Sequence, residues 1–287
     1  NMQNLPRGSQ LKYALCAPPG FTFIDCDLSQ IEVRVLAWLA QQEDILTAFE
    51  NGEDVYRIMA STIYGKNTGE VTKEERFVGK QTVLGCGYGM GYLRFQAQLQ
   101  SLGVALPTPE CQHIIETYRN SFPQIRSFWK DATTSLEAIM QRDHMPLGRG
   151  GVLQVEGARG IRLPNGLYLR YPNLRTVINQ ETKRDEYVYD VKRGKALKEN
   201  RIYGGKVVEN ICQAVARIVI GEQLLRVSKD YKIVMTVHDA IGCVVPEAEA
   251  EQAMINIENA MKIRPVWATE LPLDCEGGSG SSYGKCG

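Results

Sequence analysis

Two short apolar runs, "YKIVMTV" and "AIGCVVP", are separated only by His238 and Asp239, and they constrain this chain most. A two-residue connection lets such runs pair only as an antiparallel hairpin, because parallel neighbours need a long crossover. An antiparallel sheet with Asp239 at a hairpin tip is therefore predicted. A third apolar run, "FTFIDC" at 21–26, predicts another buried strand, with Asp27 just beyond its end.

The rest reads mainly as helix. "SQIEVRVLAWLA" predicts a helix with Ser29 and Glu32 at capping-box spacing, and residues 53–64 predict another, ended by Gly65. Thr72 and Glu75 repeat the capping-box spacing and open a helix to about Leu84. Residues 109–141 predict two helical pieces broken near Pro123. From Gly148 to about Tyr189 the pattern turns to short strands, with "LPNG" as a hairpin turn. "GGKVVENICQAVARIVIGEQLLRVSK" predicts one long helix, residues 247–262 another, and the Gly/Ser tail after Cys275 a loose or locally packed end. The class is α+β, without the regular βαβ alternation of a doubly wound sheet.

Composition excludes several classes. The 287 residues are 44% hydrophobic and 23% charged, ordinary for a soluble globular protein, with no transmembrane run and no signal peptide. The eight cysteines form no CxxC pair and no zinc-spaced cluster, so they read as reduced thiols of a cytosolic protein. Net charge is zero, yet residues 162–206 carry eleven Lys/Arg against five acids, while residues 43–54 carry five acids and no base. One basic face could grip a polyanion. Charge alone favours a solvated charged hairpin.

"RFVGKQTVLGCGYGMG" (76–91) invites comparison with a phosphate-cradling loop. Its glycines follow a helix instead of a strand, and no Gly-Lys-Ser/Thr closes them, so they read as a helix end and tight turn. The helix before them is more informative. Arg76, Lys80, Leu84 and Tyr88 are four apart, a stripe of two cations, an apolar residue and an aromatic ring. A triphosphate could lie on the cations and a base or sugar on the rest. For the two cations alone, a solvated amphipathic face is the simpler reading. Asp27 and Asp239 stand at the ends of rigid elements and, if brought together, suit two Mg²⁺ ions about 3.5–4 Å apart. Each singly is also an ordinary turn residue. Asp25 is a weaker competitor on the same strand face as Asp27.

Three segments in order, "DLSQIEVRVLA" (27–37), "RFVGKQTVLGCGYG" (76–89) and "VHDA" (237–240), resemble motifs A, B and C of family A DNA polymerases. "NMQNLPRG" and "YGGKVVENICQAVAR" resemble the flanking segments, the latter in its bacteriophage form. The resemblance implies a right-hand palm of antiparallel strands with helical fingers, and no thumb or exonuclease domain. Residues 1–44 would be the first part of the palm, 45–140 the fingers, and 141–287 a hairpin region and the second part of the palm. It implies template-directed addition of deoxynucleotides to a primer 3′-hydroxyl, with two Mg²⁺ on Asp27 and Asp239. Arg76 and Lys80 would hold the triphosphate of the dNTP, Lys80 as a proton donor. Leu84 and Tyr88 would lie at the nascent base pair, and Glu32 would be the gate against a ribose 2′-hydroxyl. Gln213, His238, Gln3 and Asn4 would contact the primer–template DNA.

The chain departs from the family pattern at Phe77, where a second Arg is common, at Leu84 in place of an aromatic, and at Ala240 in place of an acid. With no Met at position 1, it reads as a C-terminal fragment or split subunit whose partner is a missing thumb and exonuclease portion. The implied location is the cytoplasm of a bacterium or phage-infected cell. Three rivals remain. An inactive or thumb-requiring DNA-binding fragment is opposed by the intact Asp27, Asp239, Arg76 and Lys80. A single-subunit RNA polymerase is opposed by Glu32. A two-metal nuclease would not need Arg76 and Lys80.

Overall fold

The structure, a computed structural model, describes residues 9–194 and 196–286. It divides into two compact units. One runs up to Ile31 and resumes at Val215; the other is Glu32–Ala214.

The first unit holds a short helix α1 (Gln10–Tyr13), β1 (Phe21–Leu28), β9 (Ile233–Val237), β10 (Ala240–Pro246), α10 (Ala250–Lys262) and β11 (Cys275–Gly280). The four strands form one antiparallel sheet in the order β11-β1-β10-β9. Alternation along β1 decides its faces. Ile24, Cys26 and Leu28 are buried on one face, and α10 packs against the strand. On the other face Phe23 is buried against Tyr283, ring centroids 5.7 Å apart. Asp25 follows it half-buried, and Asp27 reaches solvent.

The tail after Cys275 departs from expectation. It is neither loose nor locally packed: β11 pairs with β1, more than 240 residues earlier in the chain, Asp27 opposite Glu276 and Asp25 opposite Gly278. Glycine-rich sequence carries no strand propensity, so nothing local announces this edge strand. Its glycines serve close approach; a Cβ on Gly278 would lie 1.5 Å from the Cys286 carbonyl oxygen.

The second unit contains α2 (Ile31–Ala40, beginning one residue before the boundary), α3 (Glu43–Glu50), α4 (Val55–Tyr64), α5 (Lys73–Cys86), α6 (Tyr92–Ser101), α7 (Thr108–Ser121) and α8 (Pro123–Gln141). Strands β2 (His144–Leu147), β3 (Leu153–Glu156), β4 (Ile161–Arg162) and β5 (Tyr168–Leu169) form one antiparallel sheet, and β6 (Arg175–Ile178), β7 (Asp185–Arg193) and β8 (Ala196–Ile202) another. α9 (Gly204–Val227) runs on past the boundary between the units. Two of the caps read from sequence are present. Gly65 closes α4 in the left-handed conformation, and Thr72 with Glu75 forms a reciprocal capping box on α5. "LPNG" turns the chain between β4 and β5, Gly166 N–H donating to Leu163 C=O at 2.9 Å. α2 starts at Ile31 after Gln30, whose φ is 55°.

Two arginines of the basic stretch are paired within its own strands. Arg175 pairs with Asp190 and Glu199, and Arg201 with Glu186. This favours the solvated hairpin reading of its charge. All eight cysteines are free thiols, seven of them buried. Among the described residues, no helix is long and apolar enough to cross a membrane.

Candidate active site

The first unit builds a carboxylate pair. Asp27 is the penultimate residue of β1, and Asp239 sits in the two-residue turn between β9 and β10. Val237 pairs with Ala240 to close that turn, and Ala240 stands opposite Asp27 on β1. His238, exposed, takes a left-handed φ of 53°, which lets the chain reverse in two residues. Leu28 N–H donates to the Asp239 carbonyl at 3.2 Å, pinning the turn to the end of β1.

The two carboxyls are close enough to share a hydrogen bond. Asp27 keeps solvent-accessible surface, but it is partly desolvated by the sheet and faces the charge of Asp239. Those two effects, in that order, raise its pKa to about 7, with Asp25 and Glu276 adding smaller repulsions. Asp25 is raised to about 6 by burial, partly offset by Lys12. Among the described residues its Oδ1 is buried without a partner. No cluster of three or more His, Cys, Asp or Glu forms a metal cage among the described residues. The Asp27–Asp239 pair still fits hard divalent cations. It offers oxygen donors only, its mutual repulsion is relieved by a cation, and Mg²⁺ keeps most of its water ligands.

The second unit builds a cationic helix face. α5 carries Gly79 in mid-helix, a residue that costs about 1 kcal/mol there relative to alanine. Its reason is packing: a Cβ on Gly79 would lie 2.3 Å from the Tyr56 carbonyl oxygen of α4. The close approach brings Arg76 and Lys80 over the Tyr56 ring, 5.5 and 5.8 Å from its centroid. The stripe is not two free cations, however. Arg76 Nε also meets Asp54 Oδ2 at 2.5 Å. Asp54 serves twice, because its Oδ1 caps α4 by accepting from the Tyr56 and Arg57 amides. Lys80 makes no ion pair among the described residues.

Leu84 is 36% exposed near the end of α5. α5 ends at Cys86, so Tyr88 lies in the turn beyond it. Tyr88 O–H donates to Glu32 Oε2 at 2.8 Å. Burial and the nearby acidic groups hold the Tyr88 phenol far above its usual range, so it stays a neutral donor. Glu32 thus faces Tyr88 from the first turn of α2. Leu84 and Tyr88 line a cleft of about 290 Å³ with Gln81, Arg94, Tyr203 and Glu209. Gln213 is exposed on α9. Gln3 and Asn4 lie outside the described residues.

The structure therefore brings Asp27 together with Asp239, Arg76 with Lys80, and Tyr88 with Glu32. Sequence reasoning missed Asp54, Tyr56 and Glu276. Asp54 had a signal as an acid immediately before an apolar helix. Tyr56 and Glu276 had none, since only tertiary packing gives them their neighbours.

Comparison with known proteins points to one family. Residues 1–153 match DNA polymerase family A. The DNA polymerase of Bacillus phage SP02 is 32% identical over 94% of this chain and 42% of that protein. DNA polymerase I of Pseudomonas aeruginosa is 24% identical over 99% of this chain and 27% of its own length. The POL domain of Pol1 from M. smegmatis, solved in complex with DNA primer-template and dNTP, superposes with a TM-score of 0.68 at 20% identity. That match covers 100% of this chain and 45% of that one. The chain belongs to DNA polymerase family A. It spans less than half the length of the curated relatives it matches.

Proposed function

We propose that this chain is the catalytic core of a template-directed DNA polymerase, adding deoxynucleotides to a primer 3′-hydroxyl with release of pyrophosphate. The observation that carries the proposal is the Asp27–Asp239 pair, two repelling carboxylates held together at the end of β1 and in the β9–β10 turn beside it. Two Mg²⁺ ions bound there would supply Lewis-acid activation of the hydroxyl and neutralise charge developing on the phosphates. Asp27 and Asp239 hold and orient that site. Arg76 and Lys80 bind the triphosphate, and Lys80, free of an acidic partner, is the candidate proton donor to the leaving group.

Tyr88 and Leu84 flank the incoming base. Glu32, fixed by Tyr88, closes the space a ribose 2′-hydroxyl would need. Gln213 and His238 contact the primer–template. On the same reading, residues 1–44 and 141–287 contribute the palm and 45–140 the fingers. A thumb carried elsewhere, in the remaining length of a longer protein or on a separate chain, is a partner for tight DNA binding. A thumb-requiring fragment with weak DNA binding of its own is the second reading, favoured by the chain's 42% coverage of the phage relative.

Single-nucleotide primer extension with Mg²⁺ and matched dNTP, at high protein concentration, tests the proposal. Extension that disappears in Asp239→Asn supports it. Weak primer–template binding without extension supports the thumb-requiring reading. Extension unaffected by Asp239→Asn overturns the assignment of the carboxylates.

A further inference from the structure

The row of paired residues that passes through Asp27 ends on a carboxylate with no role so far. In register across the four-stranded sheet stand Val237, Ala240, Asp27 and Glu276. Asp27 therefore has the Ala240 methyl group on one side and Glu276 directly opposite on the other. Cross-strand partners share a face of the sheet, with Cβ atoms about 4.5–5.5 Å apart. Glu276 thus stands on the same face as Asp27 and Asp25, and all three belong to the first unit.

The rest of β11 isolates it. Residues alternate between the two faces of a strand. Cys275, Gly277 and Ser279 take the face toward α10, where a Cβ on Gly277 would lie 2.6 Å from Met254 Sδ. Glu276, Gly278 and Gly280 take the other. There, Cβ atoms on the two glycines would meet Cys286 and Lys285 at 1.5 and 2.7 Å. Glu276 is the only side chain that β11 puts on the Asp27 face. It is exposed, and among the described residues its side chain forms no ion pair and no hydrogen bond. The lysine beside the strand is already taken: Lys262, at the end of α10, pairs with Asp274 just before β11 at 3.2 Å.

This placement costs stability, because like charges directly opposite each other on a sheet repel. Asp27 already faces Asp239. A charge on an edge strand does discourage unwanted strand pairing. A lysine would serve that purpose while attracting Asp27, so the sign of the charge at position 276 is the informative part. An acid there is favourable when a cation sits against this face. Glu276 does not complete a cage around one ion, since no three donors do so among the described residues. It does not need to. Mg²⁺ keeps several of its waters, and a carboxylate just beyond the ligands holds those waters and tightens the site.

We propose that Glu276 is a positioning residue for a divalent cation at the Asp27–Asp239 pair, accepting hydrogen bonds from water bound to the ion and adding a third negative charge. The proposal rests on the metal-binding role given to that pair above.

The test is Mn²⁺ binding to the full chain without DNA or nucleotide, read from the loss of the free-ion electron paramagnetic resonance signal, with Mg²⁺ as competitor. The wild type binds, and Asp239→Asn loses most of that binding. Glu276→Gln weakens it at least about tenfold, the usual cost of a lost partner beyond the ligands. Glu276→Asp, which keeps the charge, recovers most of the loss. Glu251→Gln, an equal loss of charge on the exposed side of α10, changes nothing. In thermal melts the metal-free Glu276→Gln protein is at least as stable as the wild type, and it gains less from added Mg²⁺. Weaker binding then cannot come from unfolding.

A Glu276→Gln affinity within about twofold of the wild type, well short of that cost, overturns the proposal. So does an equal loss in Glu251→Gln, or a metal-free Glu276→Gln protein less stable than the wild type, which would give Glu276 an attractive partner within the fold. The Asp239 variant separates the two claims. If Mn²⁺ binding depends on Asp239 but ignores Glu276, only this inference falls. If the wild type binds no Mn²⁺, or binds it regardless of Asp239, the metal role of the pair falls as well.

Discussion

The carboxylate end of the four-stranded sheet and the cationic face of α5 solve opposite electrostatic problems. On the sheet, Asp27 and Asp239 repel each other, and among the described residues none of the main influences on Asp27 is a cation, while Lys12 acts on Asp25. The strand pairing and the Leu28–Asp239 hydrogen bond force the two acids to stay together. On α5, Arg76 already has a carboxylate partner and an aromatic ring beneath it. One region lacks counter-charge until a cation arrives. The other is internally satisfied, and on the proposed reading a triphosphate would compete with Asp54 for Arg76. A carboxylate pair can be rigid because its ligand is small and hydrated, whereas a phosphate-binding cation on a long side chain has to be kept from wandering before its ligand binds.

Asp239→Asn gives the largest expected effect on this contrast. Primer extension falls at least about a thousandfold, ~4 kcal/mol of barrier, while the metal-free protein gains thermal stability because the repulsion is gone. The pH dependence has a defined sign. Folded Asp27 keeps its proton up to about 7, whereas the unfolded carboxyl releases it near its ordinary 3.8. Between those values the unfolded state binds fewer protons, so metal-free stability falls as pH rises through the window. Thermal melts against pH should show that decline in the wild type and a flatter profile in Asp239→Asn. Equal profiles would mean that the pair is not strained.

Next in size is Gly79→Ala, which drives a methyl group into the α4 backbone. It should cost about 1–3 kcal/mol in denaturant unfolding, and it should raise the KM for dNTP by displacing Arg76 and Lys80 from Tyr56. A neutral Gly79→Ala would show that α4 and α5 are not locked together.

Asp54→Asn is milder. Asparagine still caps α4, so the stability cost should be at most about 1 kcal/mol, the worth of a partly exposed ion pair. Releasing Arg76 should lower the KM for dNTP about two- to threefold, an outcome in the ordinary range of a lost competing contact. A raised KM would mean that Asp54 positions Arg76 and does not compete for it.

The smallest effect is chemical. Burial pushes the Cys86 and Cys243 thiols up to about 12, one beneath each region, and only Cys16 is exposed. At mildly alkaline pH a thiol reagent should label Cys16 in the native protein and reach the others only on unfolding. Early labelling of Cys243 but not Cys86 would mark the sheet as the softer region.

Much of the fold was legible because its signals are local. The His238-Asp239 hairpin, the Thr72–Glu75 capping box, the Gly65 stop and the break at Pro123 each depend on residues within a few positions of one another. Of the candidate site, Asp27, Asp239, Arg76 and Lys80 were legible as residues on particular elements. Their partners were not. Asp54 is 22 residues from Arg76, and Glu32 is 56 residues from Tyr88. The β11 strand was hidden because its glycines carry no pattern of their own.

The sequence by itself determined which side chains sit at strand ends, helix starts and turns, since period, caps and turn chemistry act over one or two turns of chain. Only the tertiary structure decided that Asp27 and Asp239 face each other and that Arg76 is already paired with Asp54. Those facts depend on distances between residues far apart in the chain. Packing of the core sets such distances, and no local pattern encodes them.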